Sequence, residues 1–277
     1  MKLLKNIYNT LTHQITPPKT FGSFHLVAIG VIGFMTTLVC KKLKNASERS
    51  ERRLALGVWI GLVVLELYKQ LVCSFTLEND AFVFAYDWHS FPFQFCSAPL
   101  YVLPLIAFLK NGKLREAIVA FFSTYTLVAG LIVCIYPGNV FVETLGIDIQ
   151  SLVWHGSQVA LGILFGLRRL AKEDAPNRKR FFLSAVPIFL IFVAVATVLN
   201  LFVYNAFSLK ELDETFNMFF ISPYFETMIP ILSIVQKVAP FPIFLLSYVL
   251  GFSALTYLVL VIETLTIRLI RAKNTES

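Results

Sequence analysis

The sequence is poor in charge. Only 15% of its 277 residues are Asp, Glu, Lys or Arg, while 57% are hydrophobic; a water-soluble domain carries about 25% charged residues. That balance, with a mean hydropathy of +0.71, excludes a soluble globular chain. Signature motifs are also missing. There is no Walker loop, dinucleotide fingerprint, HExxH or GxSxG, so neither nucleotide binding nor the common hydrolase chemistries have a motif to stand on. Cysteine is scarce: Cys40, Cys73, Cys96 and Cys134 show no CxxC or Cys/His zinc spacing. All four fall in or beside apolar runs, so no disulfide framework is implied, and a Cys73–Cys134 bridge across a shared membrane face is the one pairing left open. Residues 1–20 are basic but lack an apolar core. They read as a short interfacial segment ending at Pro17-Pro18 rather than a cleaved signal peptide. No cofactor is expected.

What is present is a series of apolar runs, at about 22–40, 54–75, 91–109, 115–136, 150–168, 181–207 and 241–268. Each has roughly the twenty residues needed to cross a hydrocarbon core with its backbone hydrogen bonds closed internally. The fold class is therefore an all-α membrane protein, a bundle of about seven transmembrane helices forming a single domain over 21–270, with a cytoplasmic tail at 271–277. The stretch 208–240, broken by Pro223 and Pro230 and opening on Glu211, Asp213 and Glu214, reads as a long external loop with an interfacial or re-entrant piece. There is no internal repeat and no low-complexity linker.

The net charge of +7 would suit nucleic acid, but the basic residues sit in short loops between apolar runs. Eighteen of them, including Lys41, Arg52, Lys110, Arg115, Arg168, Arg169 and Arg268, fall on one side and five on the other. The excess places the C-terminus inside and the N-terminus outside, as an odd number of spans requires. Glu78, Asp80, Asp87, Glu143 and Asp148 make the opposite side acidic.

Ionisable groups within a span are costly and are functional candidates by default. His25 lies near the outer end of the first run, Glu66, Lys69 and Gln70 in the outer half of the second, and Gln94 and Cys96 near the outer end of the third. His155 and Gln158 lie one to two turns inside the fifth, and Asn200 about two turns inside the sixth. At ~1.5 Å per residue they share a layer roughly 5–15 Å deep, which suggests one polar pocket opening toward the outer leaflet. Glu66, Lys69, Gln70 and Cys73 form one helical stripe, and Ser151, His155, Gln158 and Gly162 another. Taken singly, each has a plainer role. Cys96 would be a small core residue, His155 interhelical glue, His25 and Lys69 snorkelling side chains, and Glu66 the structural partner of Lys69. Together, a thiol and an imidazole make the chemistry of acyl transfer available, with Glu66 or Gln158 orienting the base. Metal binding by His25, Glu66 and His155 has no spacing signature.

These features are similar to those of the YwaF family of bacterial integral membrane proteins, itself similar to the animal transmembrane protein 164 group. FGSFHL at 21–26 resembles the family's aromatic-Ser-His entry to the first span, and Glu66 falls where it carries a glutamate. FPFQFC at 91–96 resembles its LPLHLC pattern, the most specific of the set. His155, Asn217-Met218 and the PFP at 240–242 match further positions in order. The animal relatives are assigned as lipid acyltransferases, so the resemblance implies that Cys96 is the acyl-accepting nucleophile and His155 its base, with Asn217 near the site. Two positions depart from the family: Gln94 replaces a histidine, and Met218 stands where a tyrosine is usual. The expected partners are membrane lipids, including an acyl-chain donor, and no nucleic acid, in a multi-pass protein of the cell membrane. The competing readings are a transporter with a polar path through Glu66, Lys69 and His155, and a structural or sensory protein without chemistry.

Overall fold

The structure, a computed structural model, describes residues 2–138, 140–171, 176–207, 209 and 215–275. Lys172, Lys210, Glu211, Asp213 and Glu214, counted above among the loop charges, lie outside these residues. The helices are α1 (Lys2–Leu11), α2 (Ser23–Leu43), α3 (Glu48–Val72), α4 (Ala98–Phe108), α5 (Lys113–Ile135), α6 (Leu145–Leu170), α7 (Arg178–Ala206), α8 (Pro230–Val238) and α9 (Phe241–Thr275). Among the described residues five of them, α2, α3, α5, α7 and the Phe241–Leu269 part of α9, are long and apolar enough to cross a membrane. The protein is thus a predominantly helical, membrane-type bundle.

The other two sequence-expected spans take different forms. The run at 91–109 is helical only from the 3-10 turn Phe95–Ser97 onward; Phe91 and Gln94 are extended. Proline is the reason. Pro92 biases Phe91 away from the helical region, and Pro99 fits the first turn of α4, where its missing N–H costs nothing. The fifth run is a full helix, α6, but a polar one that is half buried in protein. It packs against α2, α3, α5 and α9 at the centre of the bundle. Small residues let it come close. An added Cβ at Gly156 would stand 2.9 Å from Ile32, one at Gly162 would stand 2.8 Å from Leu127, and one at Gly130 of α5 would stand 2.8 Å from Gln158. Within α5, Phe122–Thr126 form a fully buried π-helical turn.

The two ends of the bundle differ in what holds them. At the basic end, Glu51 of α3 accepts from Arg115 of α5 at 2.8 Å and from Arg168 and Arg169 of α6 at 2.6 Å each. Arg168 also donates to the carbonyls of Leu43 and Ala46 between α2 and α3, and Arg115 to that of Ile106 at the end of α4. One buried carboxylate therefore gathers α2 through α6. At the opposite end α1 leans on a β-hairpin, β1 (Phe75–Glu78) paired antiparallel with β2 (Ala81–Phe84). Tyr8 donates to the Phe75 carbonyl, and Lys5 pairs with Asp80 at 2.8 Å. The hairpin is absent from the all-α expectation. Its turn, Asn79-Asp80, has positive φ at both residues (48° and 68°), the signature of a tight two-residue hairpin turn.

The 208–240 stretch turns out to have two parts. Phe216, Met218, Phe219, Ile221 and Ser222 are buried, forming an irregular plug inside the bundle. After it comes α8, whose Ile231, Ile234 and Val238 are exposed.

Candidate functional site

The plug and the unwound Phe91–Ser97 segment meet at the end of the bundle opposite the basic cluster. Non-helical backbone at membrane depth is tolerated only where protein satisfies its polar groups, and three amides do so here. Gln94 accepts from the Phe219 N–H at 3.1 Å and donates to the Asn217 carbonyl at 3.3 Å. Asn200 of α7 accepts from the Met218 N–H at 2.7 Å and donates to its carbonyl at 3.0 Å. Asn217 accepts from the Ser222 N–H at 2.8 Å. Phe219 and Phe220 carry positive φ, a conformation strained for bulky residues. Phe219 is held there by rings of Phe93 and Phe95 at 5.8 and 5.2 Å. Gln94, Asn200 and Asn217 are therefore loop clamps.

His25 is likewise fully engaged. Its Nδ1 accepts from the Phe21 N–H at 3.0 Å, and its Nε2 donates to the Cys134 carbonyl at 2.9 Å, stapling α2 to the end of α5.

The remaining residues of the layer, Glu66, Lys69, Gln70, Cys96, His155 and Gln158, are its chemical part. The Cys96 carbonyl accepts from Trp154 Nε1 at 2.8 Å and from Gln158 Nε2. These donors flank His155 on α6, so the thiol-bearing turn is fixed against that helix. His155 is buried, and its Nδ1 donates to the Ser151 carbonyl at 2.7 Å. That bond fixes the proton on Nδ1 and leaves Nε2 as a lone-pair base. Nε2 has no hydrogen-bond partner among the described residues, nor do Gln158 Oε1 and Glu66 Oε2. Glu66 Oε1 accepts from Lys69 at 2.9 Å and from Gln70 at 2.7 Å. Lys69 and Glu66 lie within electrostatic range of Cys96, and Lys69 within range of His155. At the rim, Gln70 donates to the Ser90 carbonyl and accepts from Tyr86 at 3.1 Å. Burial and the Glu66 carboxylate push the Tyr86 phenol up to about 12, so it remains a donor.

The resting arrangement thus presents a buried base, a nearby thiol, and a carboxylate–ammonium pair with an unsatisfied oxygen. Because Nε2 has no partner, the Cys96–His155 contact is not made in this state. All four cysteines are free thiols, so the Cys73–Cys134 bridge is absent. Among the described residues no cluster of His, Cys, Asp and Glu could hold a metal ion.

An apolar cavity lies elsewhere. A groove of about 900 Å³ runs between α2, α3 and α6, lined by Val27, Val31, Met35, Val58, Val153 and Ala160 among others. Its α6 face lies roughly a third of a turn round the helix from His155. Its lining is almost wholly apolar.

Sequence reasoning missed Glu51 and its arginines, because Glu51 sits among six basic residues that read as topology signals. It also missed Trp154, which looks like any core aromatic. No family model, no curated protein and no solved structure matches the chain.

Proposed function

We propose that this protein is a polytopic lipid acyltransferase of the YwaF type, with Cys96 as nucleophile and His155 as base in a pocket near the outer leaflet. The observation that carries the reading is the state of His155. Its tautomer is set by the Ser151 carbonyl, and its basic nitrogen is buried and unpartnered beside the turn that carries Cys96. A buried polar atom without a partner is costly, and a substrate-dependent role for it accounts for that cost.

In the proposed reaction the Cys96 thiol adds to the carbonyl carbon of a lipid ester, and His155 Nε2 takes the thiol proton. The ester C–O bond breaks, and His155 returns the proton to the departing lipid alkoxide. A second amphiphile's hydroxyl then attacks the thioester and His155 takes its proton; the new ester C–O bond forms, the C–S bond breaks, and His155 returns the proton to the departing Cys96 thiolate. Lys69, within electrostatic range of Cys96, would stabilise negative charge developing at the carbonyl oxygen.

The reading includes seven crossings, with the N-terminus outside and the C-terminus inside a cell membrane. Support comes from α6, whose 26 residues span ~39 Å, and from the 91–108 segment. There, four non-helical residues, a three-residue 3-10 turn and an 11-residue helix together reach about 35 Å.

The test is a thioester. Incubating the membrane-embedded protein with a phospholipid carrying a labelled acyl chain should place the label on Cys96, and hydroxylamine should remove it. Cys96→Ala should carry none. Label equal in wild type and Cys96→Ala would refute the proposal.

A further inference from the structure

Glu263 lies near the basic end of α9, in the helical stretch long and apolar enough to cross a membrane. The acyl-transfer reading does not use it. Both of its carboxyl oxygens are buried and without a hydrogen-bond partner among the described residues. Its side chain packs directly on α6 at Gly166, where an added Cβ would clash with Oε1. The glycine makes room for the carboxyl but offers it no side-chain donor. The other ionisable group within electrostatic range is Cys40 of α2, a neutral thiol at ordinary pH. Arg178 of α7 donates to Thr264 at 3.2 Å and sits over the Tyr257 ring; its Nε is buried and without a hydrogen-bond partner, and among the described residues it makes no ion pair with Glu263. Arg168 and Arg169, only two and three residues beyond Gly166, are bound to Glu51 and Glu116.

An ionised carboxylate with two desolvated oxygens and no cation or donor is not sustainable in a low-dielectric interior; it must acquire a proton or a counter-ion. A bound metal cation would need several oxygen ligands, and the neighbours Gly166 and Cys40 supply no side-chain oxygen. We propose that Glu263 is a proton-binding site at the junction of α2, α6 and α9, holding its carboxyl in the neutral acid form at neutral pH. Losing that proton places a bare charge against the Gly166 backbone, so deprotonation opens the α6–α9 contact to water. The site is independent of the acyl-transfer reading and stands or falls without it.

The experiment is infrared difference spectroscopy on the full chain in lipid at pH 7, wild type against Glu263→Gln, which is nearly isosteric with the neutral acid. The expected result is one protonated-carboxyl C=O band present in wild type and lost in the variant. A carboxylate band pair in its place would overturn the proposal, as would a band that sodium ions remove at constant pH. Carbodiimide modification gives a second readout, because only the protonated acid reacts. Peptide-mapped labelling at Glu263 should change less than twofold between pH 5.5 and 7.0. An exposed glutamate with its usual pKa of ~4.3 should lose about 30-fold over that interval, and the same fall at Glu263 would also overturn the proposal.

Discussion

Single buried charges and rings decide where this protein is rigid. Glu51 is the clearest case. Its side chain is 1% exposed, as is that of Arg115, and it is also bound by the mostly buried guanidiniums of Arg168 and Arg169. A buried ion pair is not in itself a strong source of stability, but removing one partner strands the others. Glu51→Gln keeps the shape and deletes the charge, leaving Arg168 without a carboxylate and Arg115 and Arg169 with Glu116 alone. The expected loss is about 3–5 kcal/mol, measured as a lowered thermal midpoint in lipid or detergent. His155 and His25 show the opposite contrast: two buried imidazoles in the same layer, one with both nitrogens bonded and one with Nε2 open. Their sequences give no sign of the difference, because it depends on the Cys134 carbonyl arriving from the end of α5 and on a local turn that brings the Phe21 N–H onto Nδ1.

At the scale of elements, the site exists because two segments fail to be helices. Pro92 of FPFQFC announces the first failure, and the Pro-broken 208–240 stretch announces the second. The meeting of the two was not legible, since the Gln94–Asn217 and Asn200–Met218 contacts join residues 123 and 18 positions apart. Gln94, Asn200 and Asn217 were recognisable as polar groups at one depth, but depth alone does not separate a clamp from a reactant. The hairpin at 75–84 was obscured by its position between two apolar runs, where β-branched and aromatic residues are common in either structure. The α5–α6 seam positions the base most directly. A Cβ at Gly130 would stand 2.9 Å from the His155 carbonyl as well as 2.8 Å from Gln158 Cβ. Gly130→Ala should therefore push α6 away, cost about 1–3 kcal/mol of stability, and reduce turnover. Unchanged stability and turnover would show that the seam yields.

For the whole molecule, the helical runs and the asymmetry of charge were readable from hydropathy and loop composition, because lipid and topology impose both locally. What hydropathy blurs is α6: surrounded by other helices, it can afford Gln150, Ser151, His155 and Gln158, and so looks less like a span than its neighbours. The crossing number is open to a direct check. Single cysteines replacing Asp80, exposed at the hairpin, and Lys113, exposed at the basic end, should differ in access to a membrane-impermeant maleimide above the native-thiol background. In intact cells Asp80→Cys should react and Lys113→Cys should react only after permeabilisation; equal labelling would break the orientation.

The central claim is that Cys96 and His155 act together on lipid acyl chains. The most direct measurement is acyl transfer between a labelled phospholipid and a lysophospholipid by the purified chain reconstituted in vesicles, comparing wild type, Cys96→Ala and His155→Gln. The expected result is transfer by wild type and a loss of about 10²-fold or more in both variants, with thermal midpoints close to wild type. Transfer undiminished in Cys96→Ala, or no transfer by folded wild-type protein with any acyl donor, would contradict it.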